Sequence, residues 1–335
     1  MEKKVRMIDI AQKLNISVVS VSKALSGKEG VSQEVRQKII DMAKEMGYLK
    51  NEPVKQEELS NGIIGILVAD RFFSDNAFYS NMYRTILIKS NKAGFSAMLE
   101  IVSMEDEHNC VLPQMISSNV VDGIIILGEM NRDYLKVICG PKYPYMLLDF
   151  YDDEIGGDSV CSDNIHGAYK ITSHLLEVGC TKIGFVGDVL STSSILDRYL
   201  GYHKALLRKH ISIREEWILK DRDDEGKFID IILPEEMPQA FLCSCDEVAY
   251  KLVNKLIDRG FRVPDDVCIA GYDDYHYATL SNPQLTTYRV NVDAMGETVV
   301  SQLIKKIKGK NYTQGCVVIN GSFIMRKSTQ KNKME

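Results

Sequence analysis

From Gly62 onward the chain alternates short, continuous apolar segments with longer segments of helical period, and this alternation restricts the fold more than any other feature. Apolar runs such as IIGILVA at 63–69 predict strands buried on both faces, which is typical of parallel sheets built from βαβ units. We predict strands at 62–70, 96–102, 121–127, 144–150, 182–188, 239–244 and 266–274. We predict helices at 79–94, 107–119, 164–179, 194–210 and 246–260. The expected fold class is therefore α/β.

Composition limits the classes of protein to which the chain can belong. Its 335 residues exceed one ordinary core and predict two or three domains, and 45% hydrophobic with 26% charged residues is typical of a globular protein. The longest aliphatic runs are too short to span a membrane, and the N-terminal MEKKVRMIDI lacks the apolar core of a signal peptide. We therefore expect a cytoplasmic protein with no membrane partner.

Several kinds of chemistry have no motif in the chain. Eight cysteines lie at 110, 139, 161, 180, 243, 245, 268 and 316, without a CxxC, which favours reduced thiols over the alternative of paired disulfides. We find no zinc-site spacing, no GxGxxG between a strand and a helix, and no GxxxxGK[ST], so we predict no metal and no cofactor. The six histidines form no catalytic arrangement, which argues against the main alternative function, an α/β enzyme.

The first fifty residues have a different pattern. Helical spacing predicts three short helices at 7–14, 18–25 and 33–46, with Asn15, Ile16 and Ser17 as a tight turn between the first two. These residues hold ten Lys or Arg against six Asp or Glu, whereas the remainder of the chain is acidic. Such a module is either a helix-turn-helix that binds an anionic partner, DNA, or a protein-docking module.

The second of these helices has two different faces. Val21, Ala24 and Leu25 can pack inward, which leaves the other side chains for another surface. In a helix-turn-helix the start of the second helix lies at the base edges in the major groove, and hydroxyls near helix starts contact phosphates. The predicted DNA-binding residues are Ser17, Val18, Val19, Ser20, Ser22, Lys23 and Ser32.

The N-terminal module resembles the DNA-binding headpiece of the lactose-repressor (LacI/GalR) family of bacterial transcription regulators. The matching segments are DIA at 9–11, IS at 16–17, VSKALSG at 21–27, VS at 31–32 and MGY at 46–48. The resemblance implies that the base-reading positions fall on Val18, Val19 and Lys23, and that Val18 and Val19 read without hydrogen bonds.

The remainder of the chain resembles the effector-binding core of the same family. The matching segments are VDGIII at 121–126, SDNIHGAY at 162–169, DRYLGY at 197–202, CDEVAY at 245–250, RGFRVPDDVCIAGYDD at 259–274 and NPQLTTYRVNVDAMGE at 282–297. The resemblance implies two Rossmann-like subdomains of the periplasmic-binding-protein type, with crossovers near 160, 288 and 322. The implied domains are a headpiece at 1–50, a hinge at 51–61, and a core at 62–335. Within the core we expect an N-subdomain of about 62–160 plus 290–321 and a C-subdomain of about 161–288 plus 322–335.

The resemblance also implies which residues bind the effector in the cleft between the subdomains. These are Phe78, Tyr79, Asp163, Arg198, Arg222, Cys245 and Asp273. Phe78 and Tyr79 either form aromatic platforms at the cleft rim or belong to the core, and Asp163 is either structural or faces the cleft. Arg198 is implied to clamp the effector, for which a guanidinium fork is suited.

Two of these positions depart from the family pattern. Cys245 stands where many members have asparagine, and a thiol lacks the donors and acceptors of an amide. Arg222 follows the segment at 217–219, where many members place a cleft aromatic, and a second cleft arginine would favour an acidic or phosphorylated ligand. We expect Trp217 to pack in the core.

The resemblance implies a ligand-responsive, sequence-specific transcription regulator, with repression of carbohydrate or related catabolic genes expected. The implied partners are double-stranded operator DNA, a small-molecule effector such as a sugar, and a second copy in a homodimer. A sugar-binding protein with an accessory helical domain is the remaining alternative.

The hinge departs from the family, because Glu57 stands where the family has a leucine that wedges into the minor groove. We therefore predict a hinge that inserts no leucine, unless Leu59 replaces it through a shifted register.

Overall fold

The computed structural model describes residues 5–25, 30–46, 48, 61–73, 77–140 and 142–331. The chain forms two compact units, Met1–Ser60 and Asn61–Glu335. Residues 51–60 of the predicted hinge lie outside the described residues, as do the predicted helix stops at Ser26, Gly27 and Gly47.

The described residues of the first unit form three helices: α1 Met7–Leu14, α2 Val18–Leu25 and α3 Gln33–Glu45. The three predicted helices are therefore confirmed, the third ending one residue earlier than predicted. Asn15 ends α1 in the left-handed region with φ of 52°, which asparagine tolerates better than most residues. The small core between the helices consists of Ile10, Ala11, Val21, Ala24, Ile39 and Ala43.

The second unit alternates strands and helices, as predicted. Its strands are β1 Ile63–Ala69, β2 Ser96–Val102, β3 Gly123–Leu127, β4 Tyr145–Leu148, β5 Ser159–Ser162, β6 Ile183–Val186, β7 Ile218–Leu219, β8 Ala240–Cys243, β9 Cys268–Ala270, β10 Thr287–Arg289, β11 Cys316–Ile319 and β12 Ser322–Ile324. Its helices are α4 Asp70–Phe73, α5 Ala77–Lys92, α6 Met104–His108, α7 Gln114–Ser117, α8 Arg132–Ile138, α9 Asn164–Glu177, α10 Ser193–Leu207, α11 Asp246–Asp258, α12 His276–Leu280 and α13 Val292–Ile307.

Two parallel sheets organise this unit. The first has six strands in the order β11-β5-β4-β3-β1-β2, and the second has four in the order β7-β6-β8-β9. A short antiparallel ladder pairs β10 with β12, with Tyr288 opposite Phe323. Burial of the central strands on both faces explains their unbroken aliphatic sequences, since Ile66 and its neighbour Ile125 in β3 are fully buried.

The chain passes between the two sheets three times. It leaves the first sheet after β5, returns between β9 and β11, and leaves again before β12. Helices α9 and α10 pack against each other where Gly201 meets the carbonyl of Ile165, because any Cβ at Gly201 would overlap that backbone.

The structure corrects one predicted helix and adds others. The predicted helix at 107–119 is wrong: α6 and α7 occupy this region as two short helices. Cys110, with φ of 53°, turns the chain after α6, and Pro113 directly precedes α7 as its N-cap. Sequence reasoning also missed α8, α12 and the long helix α13.

Candidate functional site

The exposed face of α2 is formed by the residues expected at the DNA. The exposed fraction of Val18 is 40% and that of Val19 is 64%, and Ser22 and Lys23 are also exposed. Val21 and Ala24 are buried on the opposite side. At about 100° per residue, Val18 and Ser22 share one strip of the helix surface, and Val19 and Lys23 share the adjacent strip.

The serines around α2 mainly cap helices. Ser17 Oγ accepts a hydrogen bond from Ser20 N at 3.0 Å, and the two hydroxyls lie 2.9 Å apart. Ser32 Oγ accepts from Val35 N at 3.4 Å at the start of α3. Capping of this kind satisfies helix N–H groups that lack an intrahelical partner. Whether these serines also contact DNA stays a prediction.

The second unit contains a cavity of about 610 Å³. Residues that follow strands of both sheets line it: Asp149 after β4, Arg222 after β7, Ser244 and Cys245 after β8, and Asp273 after β9. The carboxyl ends of parallel strands are the usual ligand-binding edge of such sheets. Six of the predicted effector residues line this cavity: Phe78, Tyr79, Arg198, Arg222, Cys245 and Asp273.

Asp163 is placed differently. Its carboxylate accepts a hydrogen bond from His166 N at 3.1 Å and caps the N-terminus of α9. Asp163 does not line the cavity, so the structure favours a structural role for this residue over a position facing the cleft.

Arg198, on α10, is held rigidly. Only 5% of its surface is exposed; Nε donates to Asn164 Oδ1 at 2.9 Å, and Nη1 donates to the carbonyl of Ser244 at 2.6 Å. Its guanidinium lies 4.0 Å from the centre of the Tyr272 ring, and Nη2 lies 3.5 Å from Asp273 Oδ1. The fork is therefore fixed before a ligand arrives, which reduces the entropy lost on binding.

Two buried carboxylates face the cavity. Burial raises the pKa of Asp273 to about 7, against the opposing effect of Arg198, and burial also raises the pKa of Asp149. Asp273 has φ of 105° and Asp149 has φ of 70°, both in the left-handed region. Among the described residues, neither Asp149 Oδ1 nor Asp273 Oδ1 has a hydrogen-bond donor. Strained backbone and unsatisfied buried acceptors in one cavity are typical of a binding site.

Tyr79 belongs both to the packed core and to the cavity wall. Its hydroxyl donates to Asp149 Oδ2 at 2.9 Å, and burial raises the pKa of Tyr79 well above its ordinary value. Its ring packs against Phe72 and Phe78, with ring centres 5.0 and 5.5 Å away. Phe78 and Tyr79 therefore fit both interpretations, as core residues and as aromatic residues of the cleft, since each side chain is buried and also lines the cavity.

Sequence reasoning missed Asp149. It directly follows the apolar strand YMLL, and an aspartate that ends a strand is as common in turns as in binding sites. The signal that could have found it is the convergence of strand ends, because Asp149 and Asp273 both follow parallel strands whose carboxyl ends meet at the cavity.

Arg222 lines the cavity with its charge already paired. Its Nε and Nη2 donate to Asp221 Oδ1 and Oδ2 at 3.0 and 2.9 Å. Although burial acts to raise the pKa of Asp221, Arg222 holds it below its ordinary value, and Ser244 Oγ donates a further bond to Asp221 at 2.7 Å. The inference that this arginine would favour an acidic ligand is therefore weakened, because a buried partner neutralises it.

The other cations of the lining are also paired. Lys251 lies 2.7 Å from Glu247, Lys227 lies 2.8 Å from Glu225, and Arg71 forms an ion pair with Glu107. Within the described part of the chain, every cation of the cavity wall thus has a carboxylate partner.

Phe228 supplies an aromatic ring near Arg222 that sequence reasoning did not identify. The ring centre lies 5.0 Å from the Arg222 guanidinium and 3.9 Å from Lys251 Nζ. Arg222 and Phe228 face each other across an antiparallel bridge, so a short hairpin brings the ring to the cavity. Trp217 is buried outside the lining and donates to the carbonyl of Glu236 at 2.8 Å, as expected of a packing residue.

Cys245 occupies the N-cap position of α11 without a side-chain cap. Burial raises the pKa of its thiol to about 12, so the group is protonated at neutral pH and is a poor nucleophile. All eight cysteines are free, in agreement with the expectation of reduced thiols.

In the ranges that the structure describes, no helix is long and apolar enough to cross a membrane. The same ranges contain no group of three or more His, Cys, Asp or Glu side chains placed to hold a metal ion.

Comparison with known proteins identifies the family. The sequence profile described as "Bacterial regulatory proteins, lacI family" matches residues 6–51, and that described as "Periplasmic binding protein-like domain" matches residues 172–329. The chain belongs to the lacI family of bacterial regulatory proteins. This LacI-family chain is therefore a DNA-binding transcription regulator with an α/β effector-domain fold, and not an enzyme.

Curated relatives align along almost the whole LacI-family chain. It is 24% identical to the HTH-type transcriptional repressor PurR of Aliivibrio salmonicida over 330 residues, which cover 96% of this chain and 98% of that protein. It is also 24% identical to the ribose operon repressor of Haemophilus influenzae over 327 residues, with the same coverage of both chains.

Solved structures share the fold. The complex of the transcriptional regulator CelR with cellobiose matches with a TM-score of 0.70 at 20% identity, covering 97% of this chain and 99% of that one. The lac repressor dimer bound to operator and the anti-inducer ONPF matches with a TM-score of 0.67 at 23% identity, covering 98% and 99%.

Proposed function

We propose that this LacI-family regulator binds an operator through the exposed face of α2 and responds to a neutral, polyhydroxylated ligand in the cavity of its second unit. The observation that carries the proposal is the pairing of a helix-turn-helix that exposes Val18, Val19, Ser22 and Lys23 with a separate cavity lined by unsatisfied buried carboxylates. We assign DNA binding to residues 1–50, the hinge to 51–61 and ligand binding to 62–335. Regulation of transcription places its action in the cytoplasm.

Two acceptors of the cavity wall have no hydrogen-bond donor among the described residues. Asp149 Oδ1 and Asp273 Oδ1 can only accept while ionised, so they call for ligand groups that donate, such as hydroxyls. Arg198 lies close to both carboxylates and disfavours a second cation between them. An anion would meet these two carboxylates, while the cations of the wall are already paired. A neutral polyol can donate hydrogen bonds to the carboxylates without the repulsion from Arg198 that a cation would meet or the repulsion from the carboxylates that an anion would meet.

The apolar part of the wall fits the same ligand. Phe78, Ile195 and Phe228 line the cavity, and aromatic or aliphatic surfaces pack against the C–H face of a sugar ring. Two relatives support a carbohydrate by name, since one is a ribose operon repressor and another is a regulator in complex with cellobiose. Control of carbohydrate genes by repression is the role that these relatives support.

A homodimer accounts for the exposed edge of the first sheet. Within the described residues strand β2 lies at the edge of the sheet beside β1, and it exposes Met98 and Ile101 by 40% and 41%. Apolar edge strands of this kind are normally covered by another chain or element. A two-fold dimer would also present two headpieces to the two halves of a near-palindromic operator.

Ligand response requires that the two sheets change their mutual arrangement. Glu129, which follows β3 of the first sheet, accepts a hydrogen bond from Ser193 N at 2.7 Å, at the start of α10, which follows β6 of the second. A ligand that contacts Asp149 on one side and Arg198 on the other would favour the arrangement in which this bond forms. Coupling of about 1–3 kcal/mol between the sites corresponds to a change in operator affinity of roughly 5–150-fold.

Two measurements test the proposal. The full-length protein is used to select binding sites from random double-stranded DNA, and the enriched sequence is titrated by fluorescence anisotropy. Thermal unfolding is then measured with D-ribose, D-cellobiose and other neutral sugars, beside sugar phosphates such as D-glucose 6-phosphate. We expect an enriched operator, stabilisation by a neutral sugar, and a change in operator affinity with that sugar.

The variant Asp149→Asn should lose the sugar-induced stabilisation. Asp230→Asn is the matched control, because Asp230 is 86% exposed and pairs with Lys255 outside the cavity. Failure to enrich any sequence would disprove the regulator assignment. A sugar phosphate that stabilises the protein while the neutral sugars do not would disprove the ligand class.

A further inference from the structure

The first turn of α2 presents methyl groups and few hydrogen-bonding groups. Val18 and Val19, the first two residues of the helix, are 40% and 64% exposed. The hydroxyls of Ser17 and Ser20 lie 2.9 Å from each other, and Ser17 Oγ also accepts from Ser20 N at 3.0 Å. Both hydroxyls at this end of the helix are therefore bonded within the chain, and one O–H proton of the pair remains to donate.

The two valines form one end of a continuous exposed surface. Helical geometry places Lys23 about 40° from Val19 and one turn further along, while Val21 and Ala24 are buried beneath. The surface thus changes from aliphatic at the N-terminal end to cationic one turn later. A helix that enters the major groove with its N-terminal residues first places the aliphatic end against base edges.

We propose that Val18 and Val19 select operator sequence by packing against thymine 5-methyl groups, so that each half-site carries thymines on neighbouring base pairs at this position. The inference rests on the proposed operator binding and adds the feature of the DNA that is recognised. Thymine is the one standard base with a methyl group in the major groove, and valine offers no hydrogen bond to any other edge group. The hydroxyls of Ser17 and Ser20 bond to each other, so one O–H proton of the pair is left to donate, and the exposed methyl groups form the larger part of the surface at this end of the helix.

The expected effect of one methyl group follows from its burial. Burying a methyl-sized group is worth ~0.8 kcal/mol, which corresponds to a change in affinity of about fourfold. Replacing thymine by uracil removes the methyl group and leaves the Watson–Crick pair and every hydrogen-bonding group in place.

The experiment uses the operator enriched by the full-length protein. Each thymine is replaced in turn by uracil, and the dissociation constant is measured by anisotropy at one fixed salt concentration, because phosphate contacts make affinity depend strongly on salt. We expect losses of about fourfold at neighbouring thymines in each half-site. In the double variant Val18→Ala with Val19→Ala, the affinities for thymine and uracil operators should become equal at those positions.

The double variant should fold, because both positions are exposed and alanine has the higher helix propensity. Circular dichroism checks this. Val35→Ala is the matched control, since Val35 is a valine of similar exposure, 37%, on α3, and it should keep the preference for thymine.

The outcomes separate this inference from the proposed function. An enriched operator on which no uracil substitution lowers affinity by twofold would overturn methyl recognition and leave the regulator assignment intact. A loss that persists unchanged in the double alanine variant would also overturn it, because the methyl group would then contact another part of the protein. Absence of any enriched sequence would count against the proposed function and this inference together.

Discussion

Replacing Arg198 by alanine should remove the ligand response and destabilise the second unit, while the headpiece keeps its ability to bind DNA. Arg198 is 5% exposed and supplies hydrogen bonds to Asn164 and Ser244 and an ion pair to Asp273. Asn164 and Ser244 are themselves buried, so water cannot easily replace the lost donor. Removing one partner of a buried ion pair typically costs about 3–5 kcal/mol.

Protonation of Asp273 should reduce this loss of stability. Burial raises the pKa of Asp273 to about 7 even with Arg198 present, and without the guanidinium the carboxyl group will hold its proton at neutral pH. Protonation removes the unpaired charge, so we expect a loss near the lower end, ~3 kcal/mol at pH 7. Because Asp273 must ionise as the pH rises, the destabilisation should be larger at pH 8.5 than at pH 6.

Urea unfolding followed by tryptophan fluorescence measures this loss, since Trp217 is buried in the same unit. Arg214→Ala is the matched control: Arg214 is also paired with carboxylates, but its side chain is 37% exposed, and we expect a much smaller loss than for Arg198→Ala because exposed ion pairs contribute little. A free energy of unfolding for Arg198→Ala within 1 kcal/mol of the wild-type value would refute the reasoning about buried partners. Unchanged sugar affinity in the folded variant would refute the placement of Arg198 in the ligand site.

Four further outcomes are expected. Asp273 has a higher pKa in the folded chain than the ordinary value near 4. Its contribution to the free energy of unfolding, at most ~4 kcal/mol, is therefore full below about pH 4 and is lost as the pH rises through 7. In urea unfolding, Asp273→Asn should flatten this part of the pH profile. Lys23→Ala should weaken operator binding by roughly 1–3 kcal/mol in an anisotropy titration if Lys23 reads a guanine, and unchanged affinity would remove it from the interface. Gly201→Ala should lower the free energy of unfolding by about 1–3 kcal/mol because its Cβ overlaps the Ile165 carbonyl, whereas Gly140→Ala, with open space around it, should not. A DNA-bending assay should show no sharp central kink, and a kink that vanishes in Leu59→Ala would instead support the shifted hinge register.

The periodicity of the sequence was enough to predict both units of the fold. The second unit follows from aliphatic strands such as IIGILVA alternating with helices, and the headpiece from short helices separated by a turn at Asn15. The predicted helix at 107–119 was wrong because the chain turns at Cys110, whose φ is 53°, and a new helix starts after Pro113. Helix α13 was missed although Met295, Val299 and Leu303 recur at helical spacing along its buried face.

The candidate site could be predicted only in part. Arg198 and Asp273 were found through motifs, but no motif marks Asp149, which becomes a cavity residue because two strand ends converge. The sequence also did not show that the charged side chains of the cavity wall are paired. Asp221 and Arg222 are neighbours in sequence, and only the folded backbone shows that the carboxylate turns toward the guanidinium and neutralises it. Pairing of this kind depends on side-chain direction, which periodicity does not report.

The bonding of Arg198 has a consequence for anyone who wishes to retarget this regulator as a biosensor. Its donors are tied to Asn164 on one helix and Ser244 after a strand, so a substitution there disturbs the scaffold together with the ligand contact. Phe228 lies on a short hairpin, and its ring is only partly buried against the core of the second sheet and makes no hydrogen bond there. A library for new ligand preferences should therefore vary the hairpin around Phe228 and keep Arg198 constant, because changes of specificity are tolerated best where stability does not depend on the same atoms.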